Sequence, residues 1–283
     1  MESTNNKKIE KRNLIMDALD YNKNGKIDIV DIIVLGMSVP GVKVDRKEFL
    51  TKELSNICEK EVLETAIVST PIQAGISKDE IERLADEVVK YERNCVSGIS
   101  TLLALPGGYA MLASVPADII QYYGFLLRAA QKLLYLYGFQ QIISTDGDSG
   151  LDTTTINAII ICLGVMHGVF EADKALIAIS KALANGVEKK LLNAALTKGT
   201  IYPIVKRIAK WFGIKMTKAV FAGAVKKVIP LIGAGIGFAT TFFAFKPCCN
   251  KLRKTLRDSY LYNKDKVEAK DELIIDATTV VED

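Results

Sequence analysis

Residues 94–138 read NCVSGISTLLALPGGYAMLASVPADIIQYYGFLLRAAQKLLYLYG, and no charged side chain occurs between Arg93 and Asp118. Val115-Pro116 predicts a helix start, because proline is tolerated at the first helical position. The pattern that follows predicts a long helix, apolar around most of its circumference, that Gly138 caps. At about 1.5 Å per residue such a helix is about 33 Å long. A helix of this kind is buried in protein or in lipid.

The polar positions of this helix recur at steps of three and four residues and predict one narrow stripe facing water. The stripe comprises Asp118, Gln121, Phe125, Arg128, Lys132 and Tyr135. Every other position is predicted to be buried, so we expect this helix to be the most protected in hydrogen exchange.

The composition favours an all-helical protein. Hydrophobic residues make up 49% of the 283 positions and almost no strict alternation occurs, which argues against strands. The five cysteines form no CxxC motif, and the polar, mixed-charge N-terminus does not resemble a signal peptide. A zinc site and a disulfide framework are therefore poorly supported, and we expect a reducing, intracellular compartment.

The two signs of charge are segregated along the chain. From Lys189 to Arg257 there are fifteen Lys or Arg residues and no Asp or Glu. Because the whole chain carries a net charge of +4, the remaining residues together carry −11. Ordinary solvated helix faces mix both signs, so a one-sign block that is also apolar indicates contact with an anionic surface.

The N-terminal region contains a stretch that resembles an EF-hand calcium loop. Its six expected ligand positions are occupied by Asp20, Asn22, Asn24, the carbonyl of Lys26, Asp28 and Asp31, with Gly25 at the sharp turn. The loop departs from the pattern at its last position, where an aspartate replaces the usual bidentate glutamate. The resemblance implies bound Ca²⁺. The alternative is an Asn-Gly turn between two helices, with Asp28 capping the second.

Two further helices are predicted before the apolar segment. Apolar residues at helical spacing predict a single one-sided helix over Asp45–Val68. Ser77 and Glu80 form a capping-box pattern that starts the next helix. These charged, amphipathic helices are expected to form a layer over the apolar one.

A polar break, Ser144–Asp152, follows the long helix. Its aspartates suggest a cation site only weakly, and a solvated loop is the simpler interpretation. Thr153–Thr155 is predicted to cap a helix over Ile156–Phe170 that is too short to span a bilayer. The single histidine, His167, is expected to be a core residue bonded to a backbone carbonyl. Without a neighbouring nucleophile it builds no catalytic triad.

The basic block carries the predicted membrane contacts. These are Lys206, Arg207, Lys210, Trp211, Phe212, Lys226, Lys227 and Lys246. The block also contains Val228–Phe245, an uncharged, glycine-rich stretch that predicts a closely packed apolar hairpin. The acidic residues after Tyr260 predict a disordered tail.

Three stretches resemble the EcsC family of bacterial proteins in order and spacing. They read PADIIQYYGFLLRAAQKLLYLYG, CLGVMHGVFEADKAL and ALTKGTIYPIVKRIAKWFGIKMTKAVFAGAVKKVIPLIGAGIGF, within residues 89–257. The resemblance implies a helical, membrane-associated protein of the kind encoded beside a membrane transporter. It implies no catalytic residues.

The predicted architecture is an all-α, multi-helix bundle with apolar central helices. Residues 1–41 are predicted to form an EF-hand-like helix-loop-helix, 42–258 the EcsC-like domain and 259–283 the acidic tail. We expect a non-enzymatic protein on the cytoplasmic side of a membrane, peripheral or partly inserted, that binds anionic lipid and responds to calcium. A membrane-protein partner and the oligomeric state stay open.

Three other functions compete with this one. A pore-forming or toxic effector would insert its glycine-rich hairpins, and an accessory protein would serve a membrane transporter. Nucleic-acid binding is disfavoured, because the lysines alternate with Ile and Val rather than with Arg, Ser and Gly. Nothing in the sequence supports an enzyme.

Overall fold

The computed structural model describes residues 20–25, 27–95, 117–141, 151–215 and 238–263. These residues form α-helices and no β-strand, so the predicted all-α class is confirmed for the part of the chain described. The helices are α1 (Ile29–Ser38), α2 (Arg46–Leu54), α3 (Lys60–Val68), α4 (Lys78–Cys95), α5 (Ala117–Leu136), α6 (Thr153–His167), α7 (Ala172–Ala184), α8 (Lys189–Thr197), α9 (Tyr202–Lys215) and α10 (Phe238–Arg257).

Helices α5 and α6 form the centre of this arrangement. Helix α5 packs against α1, α2, α4, α6 and α10, while α6 packs against α1, α7, α8, α9 and α10. Gly138 follows α5 with φ of +99°, as predicted from its place in the sequence. One contiguous apolar core joins helices from both halves of the chain.

The polar stripe predicted on α5 is only partly correct. Gln121, Phe125, Arg128 and Lys132 are half-buried, whereas the Tyr135 side chain is fully buried and its hydroxyl donates to the carbonyl of Val44. The side chain of Asp118 lies outside the described residues. The stripe therefore binds neighbouring chain segments as well as facing water.

A buried glutamine fixes the connection between α1 and α2 onto α5. The side-chain amide of Gln131, which is 3% exposed, accepts from the amide of Val44 and donates to the carbonyl of Val42. An unbonded buried amide would cost about 1–3 kcal/mol. These bonds therefore explain how a polar residue is accommodated in the core.

The prediction of one helix over Asp45–Val68 is wrong, because the segment divides into α2 and α3. Ser55 and Asn56 stand at the break, and both residue types compete with the helical backbone for hydrogen bonds. Asp45 caps α2 by accepting from the amide of Glu48. The buried Arg46 guanidinium donates to the carbonyls of Ala66, Ile67 and Ser69 and so satisfies the end of α3.

Helix α6 begins and ends differently from the prediction. Its N-cap is Asp152, which accepts from the amide of Thr155, so the threonines lie inside the first turn. It ends at His167, because Gly168 adopts the left-handed conformation with φ of +71°. In its last turn, Gly164 lets α6 approach the side chains of Ile208 and Ala172 closely.

Ion pairs connect the C-terminal helix α10 to α4. Glu82 accepts hydrogen bonds from Arg253 and Arg257, and the hydroxyl of Tyr137 also donates to it. Burial raises the pKa of the Glu82 carboxyl, but the hydrogen bonds from Arg257, Tyr137 and Arg253 outweigh it and lower that pKa to about 2. The pairing therefore persists at any physiological pH.

Residues 259–263 were assigned by the sequence to the acidic tail, but they belong to the core. Ser259, Tyr260 and Tyr262 are buried, and the Tyr262 ring packs on that of Tyr137 at 4.8 Å. The rest of the predicted tail, and residues 228–237 of the predicted hairpin, lie outside the described residues.

Candidate functional site

The exposed face of α9 carries only positive charge. Lys206, Arg207 and Lys210 are exposed, whereas Ile204 and Ile208 on the opposite side are buried. The 3.6-residue period of the helix separates the two sets. The sequence prediction that these three cations lie on the surface is confirmed.

Two of these cations have partners on the surface. Arg207 pairs with Glu171, which immediately precedes α7. The ammonium of Lys206 lies 4.5 Å from the ring centre of Tyr202, one turn earlier on the same helix. Both pairs are exposed or half-exposed, and exposed ion pairs contribute little to stability. These contacts leave the charges accessible to an external anion.

Helix α10 adds a second set of exposed cations. Lys246, Lys251 and Lys254 are exposed. Arg253 is 5% exposed and is engaged with Glu82 and Asp86 of α4, so it is a structural residue. The basic block therefore divides into surface cations and core cations, a division that the one-sign sequence pattern alone does not reveal. We call Lys206, Arg207, Lys210, Lys246, Lys251 and Lys254 the basic face; Arg257 is also exposed but pairs with Glu82.

An aromatic cluster lies at the end of α9. His167 packs against Trp211 and Phe212, with ring centroids 5.9 and 5.2 Å apart. Tyr123 of α5 joins the cluster at 5.9 Å from His167. Phe212 is fully buried, so the structure places this predicted membrane contact in the core, whereas Trp211 is half-buried.

The side chain of His167 is half-buried, and its Nε2 atom is buried. The Nε2 atom of His167 and the hydroxyl of Tyr123 have no hydrogen-bond partner in the part of the chain that the structure describes. Burial, together with the charge of nearby Lys251, lowers the pKa of His167 to about 4. The imidazole is therefore neutral at physiological pH and carries no charge to the basic face.

The connection between α6 and α7 exposes an aromatic ring that sequence reasoning missed. Phe170 is 72% exposed, although its neighbour Val169 is buried. The sequence predicted that a helix continues through Phe170, and helical periodicity gives no indication that a ring points into solvent at a corner. The ammonium of Lys251 stands beside Gly168, at the start of the same corner.

A buried carboxylate lies on α4 next to the stripe of α5. Glu92 is fully buried and accepts hydrogen bonds from Arg128 Nε and Lys132 Nζ, both at 2.6 Å. The two cations also lie over the exposed ring of Tyr91. Two positive charges against one negative charge leave a local excess of positive charge, but the geometry is that of a structural ion pair.

The N-terminal loop is folded around its own carboxylates. Asp20 accepts from the amides of Asn24 and Gly25, and Gly25 has φ of +76°. The side-chain amides of Asn22 and Asn24 donate to Asp28. Lys26, whose carbonyl was a predicted ligand, lies outside the described residues, as do Lys226 and Lys227.

Asp28 and Asp31 form a capping box at the start of α1. Asp31 is fully buried, and burial raises the pKa of its carboxyl to about 6, with the charges of Asp28 and Asp20 adding to the increase. Backbone hydrogen bonds from Asp28 and Tyr21 act in the opposite direction. The donor set has the oxygen chemistry that suits Ca²⁺. Among the described residues, however, no three acidic, histidine or cysteine side chains are arranged to hold a metal ion.

No protein-family model matches the chain, and no curated protein or solved structure is significantly similar to it. In the described ranges, no helix combines the length and the apolarity that crossing a bilayer requires.

Proposed function

We propose that this chain is a non-enzymatic, membrane-associating helical protein of the EcsC type that binds anionic lipid through its basic C-terminal half. The observation that carries the proposal is the exposed face of α9, where Lys206, Arg207 and Lys210 stand without an acidic residue on the same helix. We place the protein at the cytoplasmic side of the membrane.

The number of accessible cations is sufficient for such binding. Each Lys or Arg near an anionic leaflet contributes about 1 kcal/mol. The six cations of the basic face would contribute about 5 kcal/mol when all of them contact one leaflet, with Arg207 discounted for its pairing with Glu171. Because the Debye length is about 8 Å at physiological salt, only charges close to the surface count.

Two apolar sequences lead into helices that pack against each other, α5 and α10. The uncharged stretch between Arg93 and Asp118 leads into α5, and the uncharged stretch from Val228 leads into α10. Near the starts of these two helices, the rings of Tyr122 and Phe245 are in contact, with centroids 6.4 Å apart. The helices that follow the two most apolar sequences are thus neighbours in the bundle, which supports the proposal.

Charge reversal tests the proposal. In Lys206→Glu/Lys210→Glu, we expect flotation with phosphatidylglycerol vesicles to fall strongly, while the helical circular dichroism stays unchanged because both side chains are exposed. The matched control is Lys47→Glu/Lys52→Glu, which makes the same charge change on exposed positions of α2. Equal binding by both double variants would refute the role of α9.

The same experiment separates the rival functions. Release of a trapped dye from the vesicles would favour a pore-forming effector, whereas binding without release favours a peripheral protein. Binding to duplex DNA that decreases with salt would favour the nucleic-acid alternative.

We also propose that the N-terminal loop binds Ca²⁺. The support is the donor chemistry of Asp20, Asn22, Asn24, Asp28 and Asp31. The carboxyl of Asp31 is repelled by the like charges of Asp28 and Asp20, and a bound cation would reduce this repulsion. Rotation of the two asparagine amides would present oxygen in place of nitrogen.

Calcium should raise the melting temperature, because a ligand that binds only the folded state stabilises it by mass action. Asp20→Ala should remove this shift. Asp45→Ala serves as the control, since it also removes a carboxylate that accepts backbone amides and should lower the melting temperature while keeping the calcium shift. No calcium shift in the wild-type protein would favour the simple turn.

A further inference from the structure

The corner between α6 and α7, residues 168–171, has an unusual conformation for its sequence. After Gly168, the amides of Gly168 and Val169 donate back to Val165 and Gly164 at 2.9 and 2.8 Å, which closes α6 tightly. Val169 then turns into the core and Phe170 turns outward. The chain direction is set within four residues, so the backbone around Phe170 fixes the direction in which its side chain leaves the chain.

Glu171 holds the other side of this corner. It has φ of +66°, a left-handed conformation that a residue with a side chain adopts at a cost. Its carboxylate does not cap α7, although it occupies the N-cap position. The carboxylate instead pairs with Arg207 on α9. An ion pair between two helices therefore lies next to the exposed ring.

Two cations and a second aromatic residue contact residues that flank Phe170 in the chain. Lys251 stands beside Gly168, and Arg207 is joined to Glu171, so two members of the basic face adjoin the corner. Trp211 lies one turn beyond Arg207 and contacts His167, the last residue of α6. The exposed charges at the start of α7, those of Asp173 and Lys174, offset each other. The corner thus combines a projecting aromatic ring with a net positive charge, that of Lys251, because Glu171 offsets Arg207.

We propose that Phe170 is the residue that inserts into the anionic phospholipid surface, with Arg207 and Lys251 placed against the headgroups around it. This inference rests on the membrane association proposed above. An exposed ring at a corner between two helices can enter the headgroup region of a bilayer. The adjacent positive charge complements anionic headgroups. Aromatic side chains favour this interfacial depth. Because the corner is already ordered, insertion requires little further loss of conformational freedom.

The test compares Phe170→Ser with Val68→Ser. Val68, the last residue of α3, is 83% exposed. Thr70 follows two residues later and lies beside Gly138, just after the C-terminal end of α5. Both variants remove one exposed apolar side chain, and both should keep the wild-type melting temperature. We expect Phe170→Ser to weaken partitioning onto phosphatidylglycerol-containing vesicles about tenfold, the effect of withdrawing roughly half of a phenylalanine side chain from an apolar environment. Val68→Ser should bind as the wild type does.

A conservative variant and a spectroscopic measurement complete the experiment. Phe170→Leu should retain most of the binding, since it keeps an apolar side chain at the corner. The chain contains one tryptophan, Trp211, so quenching of its fluorescence by brominated lipid reports how close the corner lies to the bilayer. When only vesicle-bound protein is compared, this quenching should be weaker for Phe170→Ser than for the wild type.

The outcomes separate this inference from the proposed function. If the wild-type protein binds anionic vesicles and Phe170→Ser binds equally well, the insertion of Phe170 is refuted while membrane association stands, and the ring is then left for a protein partner. If the wild-type protein binds no vesicle, both proposals are refuted together.

Discussion

Replacement of His167 by phenylalanine should change how stability depends on pH. The folded protein holds His167 with a pKa of about 4, whereas an unfolded histidine has a pKa of about 6.5. The neutral ring is therefore favoured by folding, and the unfolded state binds the proton more readily. Stability is then lost as the pH falls below the unfolded pKa, until the folded pKa is reached.

The size of the effect follows from this difference in pKa. One pKa unit corresponds to about 1.4 kcal/mol, so the wild-type protein should lose about 3 kcal/mol through this residue between pH 7 and pH 4. A phenylalanine does not titrate and fits the aromatic surroundings of Trp211 and Phe212. The free-energy difference between the variant and the wild type should therefore move in favour of the variant by about 3 kcal/mol over this range.

Urea unfolding, followed by the fluorescence of Trp211 at several pH values, measures this difference. Carboxylates elsewhere titrate in both proteins, so their contributions to the pH dependence of stability largely cancel when the two proteins are compared. Tyr123→Phe is the matched control, because it removes the unpartnered hydroxyl beside His167 without removing a group that titrates in this range. A difference between His167→Phe and wild type that stays constant from pH 7 to pH 4 would contradict the structure around His167.

Two further predictions concern packing and charge. Gly164→Ala should destabilise the protein by about 1–3 kcal/mol, because the new Cβ would lie 2.8 Å from Ile208 Cδ1. The matched variant is Gly213→Ala, whose new Cβ would have no atom within 4 Å. It should stabilise α9 by about 0.5–1 kcal/mol. Urea unfolding distinguishes them, and equal effects would refute the close contact. Glu92→Gln should cost about 3 kcal/mol in the same assay, since it leaves Arg128 and Lys132 unpaired near the core, and a neutral result would show that the pair is not formed.

The sequence predicted helices where the pattern is local. The capping box of Ser77 and Glu80 is present as predicted, because its hydrogen bonds join residues three apart. Gly138 ends α5 for the same reason. The break between α2 and α3 was missed, since the apolar spacing continues across Ser55 and Asn56 and hides the turn.

Features that depend on distant segments could not be predicted. Phe212 and Trp211 are neighbours in the basic block, but only the packing of α9 on α6 and α5 decides that Phe212 is buried. Glu92 gives no signal in the sequence, because its partners lie 36 and 40 residues further along the chain. The exposure of Phe170 likewise depends on the corner between α6 and α7, where Glu171 pairs with Arg207 of another helix.

The sequence distinguishes surface cations from buried cations only in part. Helical periodicity separates Lys206 and Lys210 from the apolar side of α9, and both are exposed as expected. It assigns Arg253 no special role, yet this residue is buried and connects α10 to α4. Only the packing between these two helices distinguishes a core arginine from a surface one.

Flotation of the wild-type chain with vesicles of two compositions tests the central claim most directly. We expect binding to vesicles that contain phosphatidylglycerol and much weaker binding to phosphatidylcholine alone. Raising the salt from about 0.1 M to about 1 M shortens the Debye length from about 10 Å to about 3 Å, so binding should weaken, yet persist in part through insertion of apolar side chains. A protein that stays unbound to both kinds of vesicle at low salt would contradict the membrane function.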